Sequence, residues 1–170
     1  MKIRRLVILL IFMLAGSTVS AETSEGSRVP MTTDLQADSA QARAAGVPLL
    51  IMFSLDDCPY CMVVREEFLD PMQLSGDYRD KVLMRILDMD GDFVTDFDGR
   101  RVAADDLAVR YGAAVAPTVV LLDHRGQLLV KRLLGITTPD YYGVYLDAAI
   151  KQSLLRLREQ LALAQNEAAE

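Results

Sequence analysis

Leu49 to Phe53 is an unbroken apolar run ending in Ser54, and after the short polar loop Leu55-Asp56-Asp57 comes Cys58-Pro59-Tyr60-Cys61. An apolar run this short, opened by Pro48, fits a strand buried on both faces. Proline at the first position of a helix loses no hydrogen bond, because the N–H it lacks has no partner there. The pattern therefore predicts a buried strand over Leu49–Ser54 that turns directly into a helix, with one cysteine at the helix mouth and the second one turn on. A strand with no wet face needs a neighbour on each side and helices above and below it.

The remaining chain supplies those layers. Residues 22–33 are polar, carry Gly26, Ser27 and Pro30, and read as a flexible lead-in. A single domain is expected over 34–164, in keeping with a length of 170 residues. Thr33 or Asp34 caps a helix over Leu35–Ala45, closed by Gly46. Pro71 is expected to end the helix that Cys58 opens. Val82–Leu87 reads as a strand, Asp88–Arg101 as an acidic loop, and Ala103–Tyr111 as a short helix closed by Gly112. Thr118–Leu122 reads as a β-branched core strand, Asp123-His124-Arg125-Gly126 as a tight turn, and Gln127–Leu134 as the returning strand of a hairpin. Thr138 caps and Pro139 opens a last helix with the apolar stripe Leu146, Ile150, Leu154, Leu157 and Leu161; residues 165–170 read as a frayed tail. A strand–helix–strand unit implies parallel pairing, and the hairpin adds antiparallel pairing. The expected fold is an α/β three-layer sandwich, a mixed sheet with helices on both faces.

The chemistry lies in the cysteine pair. Free N–H groups and the positive end of the helix dipole face the Cys58 sulfur and favour thiolate over thiol. Cys61 is within reach but further from the dipole end. Cys58 is thereby the nucleophile that attacks a substrate disulfide, and Cys61 resolves the mixed disulfide; the reverse sequence oxidises a substrate dithiol. As a structural staple the bridge is poor, since closing about four residues removes only roughly 2 kcal/mol of unfolded-chain entropy. Two Cys and one His fall short of the about four ligands of a self-contained zinc site. Two thiolates do suit Cu(I), and Met62 is adjacent.

Lys2, Arg4 and Arg5 precede the apolar run Leu6–Ala15, and small residues lead to Ala21. Residues 1–21 thus read as a secretory signal cleaved ahead of Glu22, with Val19 and Ala21 at the positions a signal peptidase reads. The apolar run is about half the roughly twenty residues a membrane span requires. The expected destination is the periplasm, an oxidising compartment where disulfides persist. With 18 Lys+Arg against 24 Asp+Glu, the net charge of −6 argues against a nucleic-acid partner, because no counterion release drives binding.

With these motifs in place, the sequence resembles the thioredoxin superfamily over about Leu49–Leu161. The resemblance rests on Cys58-Pro59-Tyr60-Cys61 after the strand Leu49–Ser54, and on Val115-Ala116-Pro117-Thr118 before the hairpin Thr118–Leu134. It implies that the bond before Pro117 is cis, an uncommon form that marks a deliberate turn, and that Pro117 packs beside the cysteines. It also implies that the Ala116 backbone pairs with an extended substrate segment. Cys58 and Cys61 are then catalytic, and Pro59, Tyr60, Ala116 and Pro117 bind substrate. The expected partners are disulfide-containing exported proteins and, by the resemblance, a membrane protein that relays electrons from cytoplasmic thioredoxin. A monomer is expected, with no metal and no cofactor beyond the redox-active disulfide. Within the superfamily the chain looks most like the exported SoxW-like thioredoxins, which share the signal peptide, CPxC, an acidic insert like Asp88–Gly99 and a leucine-rich last helix. Cys-Pro-Tyr-Cys is also the glutaredoxin tetrapeptide, but the hairpin and the long last helix look more like thioredoxin. One position departs from the pattern. Thioredoxins usually carry a buried acid six residues before the first cysteine; here it is Met52, which leaves the proton route of the resolving thiol open, with Asp56, Asp57 or water as candidate acceptors.

The expected function is reduction of protein disulfides outside the cytoplasm. Oxidation or isomerisation by the same fold stays open, because direction follows reduction potential and not the motif. A Cu(I) carrier and a binding adaptor with an incidental disulfide are the other classes. Asp88-Met89-Asp90-Gly91-Asp92 is a poor calcium loop: Gly91 stands at the fourth place instead of the sixth, and no Glu stands at the twelfth. His124 reads as a turn residue, and Met52, Met62, Met72, Met84 and Met89 as gap-fillers.

Overall fold

A computed structural model describes residues 28–167. The expected signal peptide, residues 22–27 of the expected lead-in and residues 168–170 of the expected tail lie outside the described residues. In chain order the elements are α1 (Leu35–Ala45), β1 (Leu49–Ser54), α2 (Pro59–Val64), a π-helical stretch (Arg65–Leu69), α3 (Asp70–Ser75), β2 (Leu83–Asp88), β3 (Phe93–Thr95), β4 (Arg101–Ala103), α4 (Ala104–Arg110), β5 (Thr118–Leu122), β6 (Leu133–Leu134) and α5 (Pro139–Glu167).

The main sheet has the order β2-β1-β5-β6. β2 runs parallel to β1, with Leu49 opposite Leu83 and Ser54 opposite Asp88. β5 runs antiparallel, with Phe53 opposite Thr118. Successive strand residues point to opposite faces, and each face has its own core. Leu50, Met52, Met84, Ile86, Val119 and Leu121 pack against Val64, Leu69 and the α5 residues Leu146 and Ile150. Leu49, Ile51, Phe53, Leu87, Val120 and Leu122 pack against Leu35 of α1 and Leu107 of α4. This is the expected three-layer α/β sandwich with a mixed sheet and helices on both faces.

Local signals account for most of the element ends. Asp34 caps α1 by accepting the Ala37 N–H at 2.9 Å, and Gly46 closes it at φ 66°. In the turn after β5, Asp123 Oδ1 accepts the N–H groups of Arg125 and Gln127. Gly126 there sits at φ 78°, and a Cβ would lie 2.7 Å from both the Phe97 ring and the Tyr111 hydroxyl.

Five expectations are corrected. Pro71 does not end the helix. Its ring would clash with the carbonyl four residues back and it donates no hydrogen bond, but the π-helical stretch absorbs both faults. The Asp70 N–H reaches back to the Arg65 carbonyl, and Pro71 enters as a first-turn residue of α3. The lead-in is not flexible where it is described. The edge of β2 offers unpaired donors and acceptors, and residues 30–32 take them: the Ile86 N–H donates to the Pro30 carbonyl at 2.9 Å, and the Thr32 N–H donates to Ile86 at 2.8 Å. Val29 is fully buried, and its N–H donates to Asp70 at 2.7 Å. The acidic stretch 88–101 is not all loop but folds into the hairpin β3–β4. The returning strand is regular only at Leu133–Leu134; it bridges β5 at Leu128, the Leu129 N–H donates to the Leu121 carbonyl at 2.9 Å, and there the chain leaves the ladder, with Arg156 of α5 donating to the Leu129 carbonyl at 2.6 Å. Finally, α5 stays helical through Glu167, and its stripe is buried at Leu146, Ile150, Leu154 and Leu157 but exposed at Leu161.

Candidate active site

β1 delivers the chain to one end of the sheet at Ser54, and the loop Leu55–Asp57 turns it into α2. Asp57 makes the turn at φ 47°, a left-handed conformation that aspartate tolerates better than most residues. Cys58 is the N-cap of α2. Its Sγ accepts the Cys61 N–H at 3.2 Å, so the sulfur does what a serine or aspartate oxygen does at other helix starts. Cys58 and Cys61 are disulfide-bonded, with Cα atoms 5.2 Å apart. Cys61 is 3 % exposed. Cys58 is half-buried, and Pro59 and Tyr60 beside it are exposed. An approaching molecule therefore meets Cys58 first.

The Ala116–Pro117 bond is cis, the form the resemblance implies. Thr118 is paired with Phe53, so Pro117 falls at the end of the sheet from which the Cys58 loop departs. Pro117 is buried and Ala116 half-buried, and the Thr118 hydroxyl donates to the Val115 carbonyl at 2.6 Å. His124 sits past the opposite end of β5.

A cavity of about 530 Å³ opens beside the cysteines. Met52 and Ile86 on the sheet, Cys61, Met62 and Arg65 on the helix, and Met31 from the lead-in all line it. Met52 is 1 % exposed, so an apolar thioether occupies the place of the usual buried acid. The cavity nevertheless contains carboxylates, for Asp56, Asp57 and Asp88 also line it. Asp56 and Asp57 are exposed, whereas Asp88 is half-buried. Asp88 was expected to start a loop, but it is the last residue of β2, opposite Ser54 and on the face of Met84 and Ile86. Strand parity could have placed it there: Met84, Ile86 and Asp88 alternate with Arg85 and Leu87. Met31 could not have been found this way, because it arrives only through the pairing of the lead-in with β2. Among the described residues Arg65 is the one cation lining the cavity, and its Nε stands 3.7 Å from Asp70. Among the described residues no group of three or more His, Cys, Asp or Glu is placed to hold a metal ion.

Residues 35–150 match the family described as the thioredoxin-like domain. Among solved structures, the chain is similar to thioredoxin h from poplar, with 21% identity over 72% of this chain and 96% of that one and a TM-score of 0.50. It is also similar to thioredoxin f from spinach chloroplast, with 18% identity over 75% of this chain and 98% of that one and a TM-score of 0.51. At these identities the likeness is one of fold. No curated protein matches the sequence significantly.

Proposed function

The chain belongs to the thioredoxin-like domain family, and from that premise we propose that Cys58 and Cys61 make it a thiol–disulfide oxidoreductase that reduces the disulfides of exported proteins. The observation that carries this reading is the asymmetry of the pair. Cys58 is reachable at the helix mouth, and Cys61 is buried behind it. The Cys58 thiolate attacks one sulfur of a substrate disulfide, the substrate S–S bond breaks, and the leaving sulfur takes a proton. Cys61 then gives up its proton and attacks Cys58 Sγ. The Cys58–Cys61 bond forms, the second substrate thiol leaves, and two electrons have passed to the substrate. A dithiol donor must recharge the pair. Outside the cytoplasm, where residues 1–21 are proposed to send the chain, that donor is the expected membrane electron-relay protein.

The reducing direction is supported by charge. A couple becomes an oxidant when its reduced, thiolate form is stabilised. Here, among the described residues, Asp56, Asp57 and Asp88 share the cavity with a single cation, Arg65, and no charged residue lies between the cysteines. Nearby negative charges disfavour a thiolate, which favours the disulfide and makes the dithiol a donor. For the proton of Cys61 we assign Asp88, the least exposed carboxylate of the cavity. The Ala116 backbone, beside Pro117, is proposed to pair with the substrate chain.

Insulin reduction with dithiothreitol as electron source tests the function. Wild-type protein is expected to accelerate the reaction and Cys58→Ser to abolish the acceleration, while Cys61→Ser accumulates mixed disulfides through Cys58. An uncatalysed rate with wild type, or full activity in Cys58→Ser, would overturn the reading. A binding adaptor would trap no mixed disulfide.

A further inference from the structure

Among the described residues, five sulfur-bearing side chains line the cavity at the cysteine pair: Cys58, Cys61, Met31, Met52 and Met62. The three methionines come from separate parts of the chain, namely the lead-in, β1 and α2. Core packing explains Met52, since methionine fills irregular gaps. It does not explain Met31 and Met62, each 51 % exposed at the cavity mouth. Disulfide exchange needs none of the three thioethers.

Thiolate and thioether are soft donors that suit Cu(I) and disfavour hard cations such as magnesium and calcium. We propose that the reduced protein binds one Cu(I) ion here, with Cys58 and Cys61 as thiolates and the methionine sulfurs as neutral donors. On binding, the two thiols release two protons and copper keeps its oxidation state. The disulfide must first be opened with two electrons and two protons from a dithiol, the class of reductant that the oxidoreductase reading already requires. Two thiolates around Cu(I) carry one net negative charge; Cu(I) itself offsets the repulsion from Asp56, Asp57 and Asp88, and Arg65, which also donates to the Val29 carbonyl at 3.4 Å and stands 3.7 Å from Asp70, lines the same cavity. Copper and the Cys58–Cys61 bond exclude each other, so oxidation of the pair expels the metal and copper blocks disulfide exchange.

The test is an anaerobic titration of the dithiothreitol-reduced, desalted protein with Cu(I) in competition with a coloured Cu(I) chelator. The expected result is one Cu(I) per chain, inhibition of insulin reduction by the bound metal, and loss of affinity when Met31, Met52 and Met62 are all changed to Leu. That loss is expected to be about tenfold or more, no less than outer-shell partners typically contribute. Should the triple variant fail to fold, Met62→Leu alone, at an exposed site, is expected to weaken binding measurably. Failure of the wild type to retain copper, or unchanged affinity in the folded methionine variants, would overturn the proposal. Insulin reduction by copper-free protein reports separately on the oxidoreductase reading.

Discussion

Cys58 and Cys61 are the same side chain three positions apart, and the fold makes them unequal. The N-cap position gives Cys58 the helix N–H groups and an open side, while Cys61 is buried behind it. This much was legible in the sequence, because proline after a cysteine fixes the helix start locally. The proton route was not. Met52 is an evident departure, but its substitute depends on strand register: Asp88 enters the cavity because β2 pairs in parallel with Ser54 opposite it. In Asp88→Asn, resolution of the mixed disulfide is expected to slow by about a hundredfold at neutral pH, as for a lost general base. The deficit should close above about pH 8.5, where a thiol ionises unaided. Stopped-flow kinetics across pH measure this, and a deficit independent of pH would rule Asp88 out as the acceptor.

Among the elements, the hairpin β3–β4 depends on one buried carboxylate. Asp96 accepts the N–H groups of Asp98 and Arg100, each at 3.0 Å, and also meets the Arg110 guanidinium at 3.4 Å. Burial pushes the Asp96 carboxyl up, but these hydrogen bonds and the charge of Arg100 outweigh it and hold the group below its ordinary value. A carboxyl held low stabilises the fold fully above the ordinary range, near pH 4, and the gain is lost as pH falls through the folded value. Asp96→Asn should therefore cost about 1–3 kcal/mol at pH 7, and the gap from wild type should narrow below about pH 4. Urea unfolding at several pH values checks both, and a gap that stays constant into acid would refute the role. Neither this hairpin nor the π-helical stretch was legible. Asp96 looks like any loop aspartate until α4 packs on it, and Pro71 carries the ordinary stop signal, overridden here by a shift of one hydrogen bond.

The molecule as a whole is two apolar layers divided by the sheet, and the continuous apolar run of β1, with neither face left polar, makes both layers readable in the sequence. What escaped was the start of the domain, since residues 29–33 are polar or isolated apolar positions whose burial depends on the free edge of β2. A chain beginning at Asp34 loses the burial of Val29 and two ladder hydrogen bonds, about 2–4 kcal/mol. Its Tm should be about 5–10 °C lower by calorimetry, and an unchanged Tm would mean that the segment only rests on the surface. The redox couple is also a whole-molecule property, because its potential measures how much more stable the fold is with the bridge closed than with it open. The decisive measurement is the reduction potential of Cys58–Cys61, equilibrated against dithiol–disulfide buffers. A value near thioredoxin's roughly −270 mV is predicted, whereas one near the roughly −120 mV of a strong oxidant would contradict a disulfide reductase.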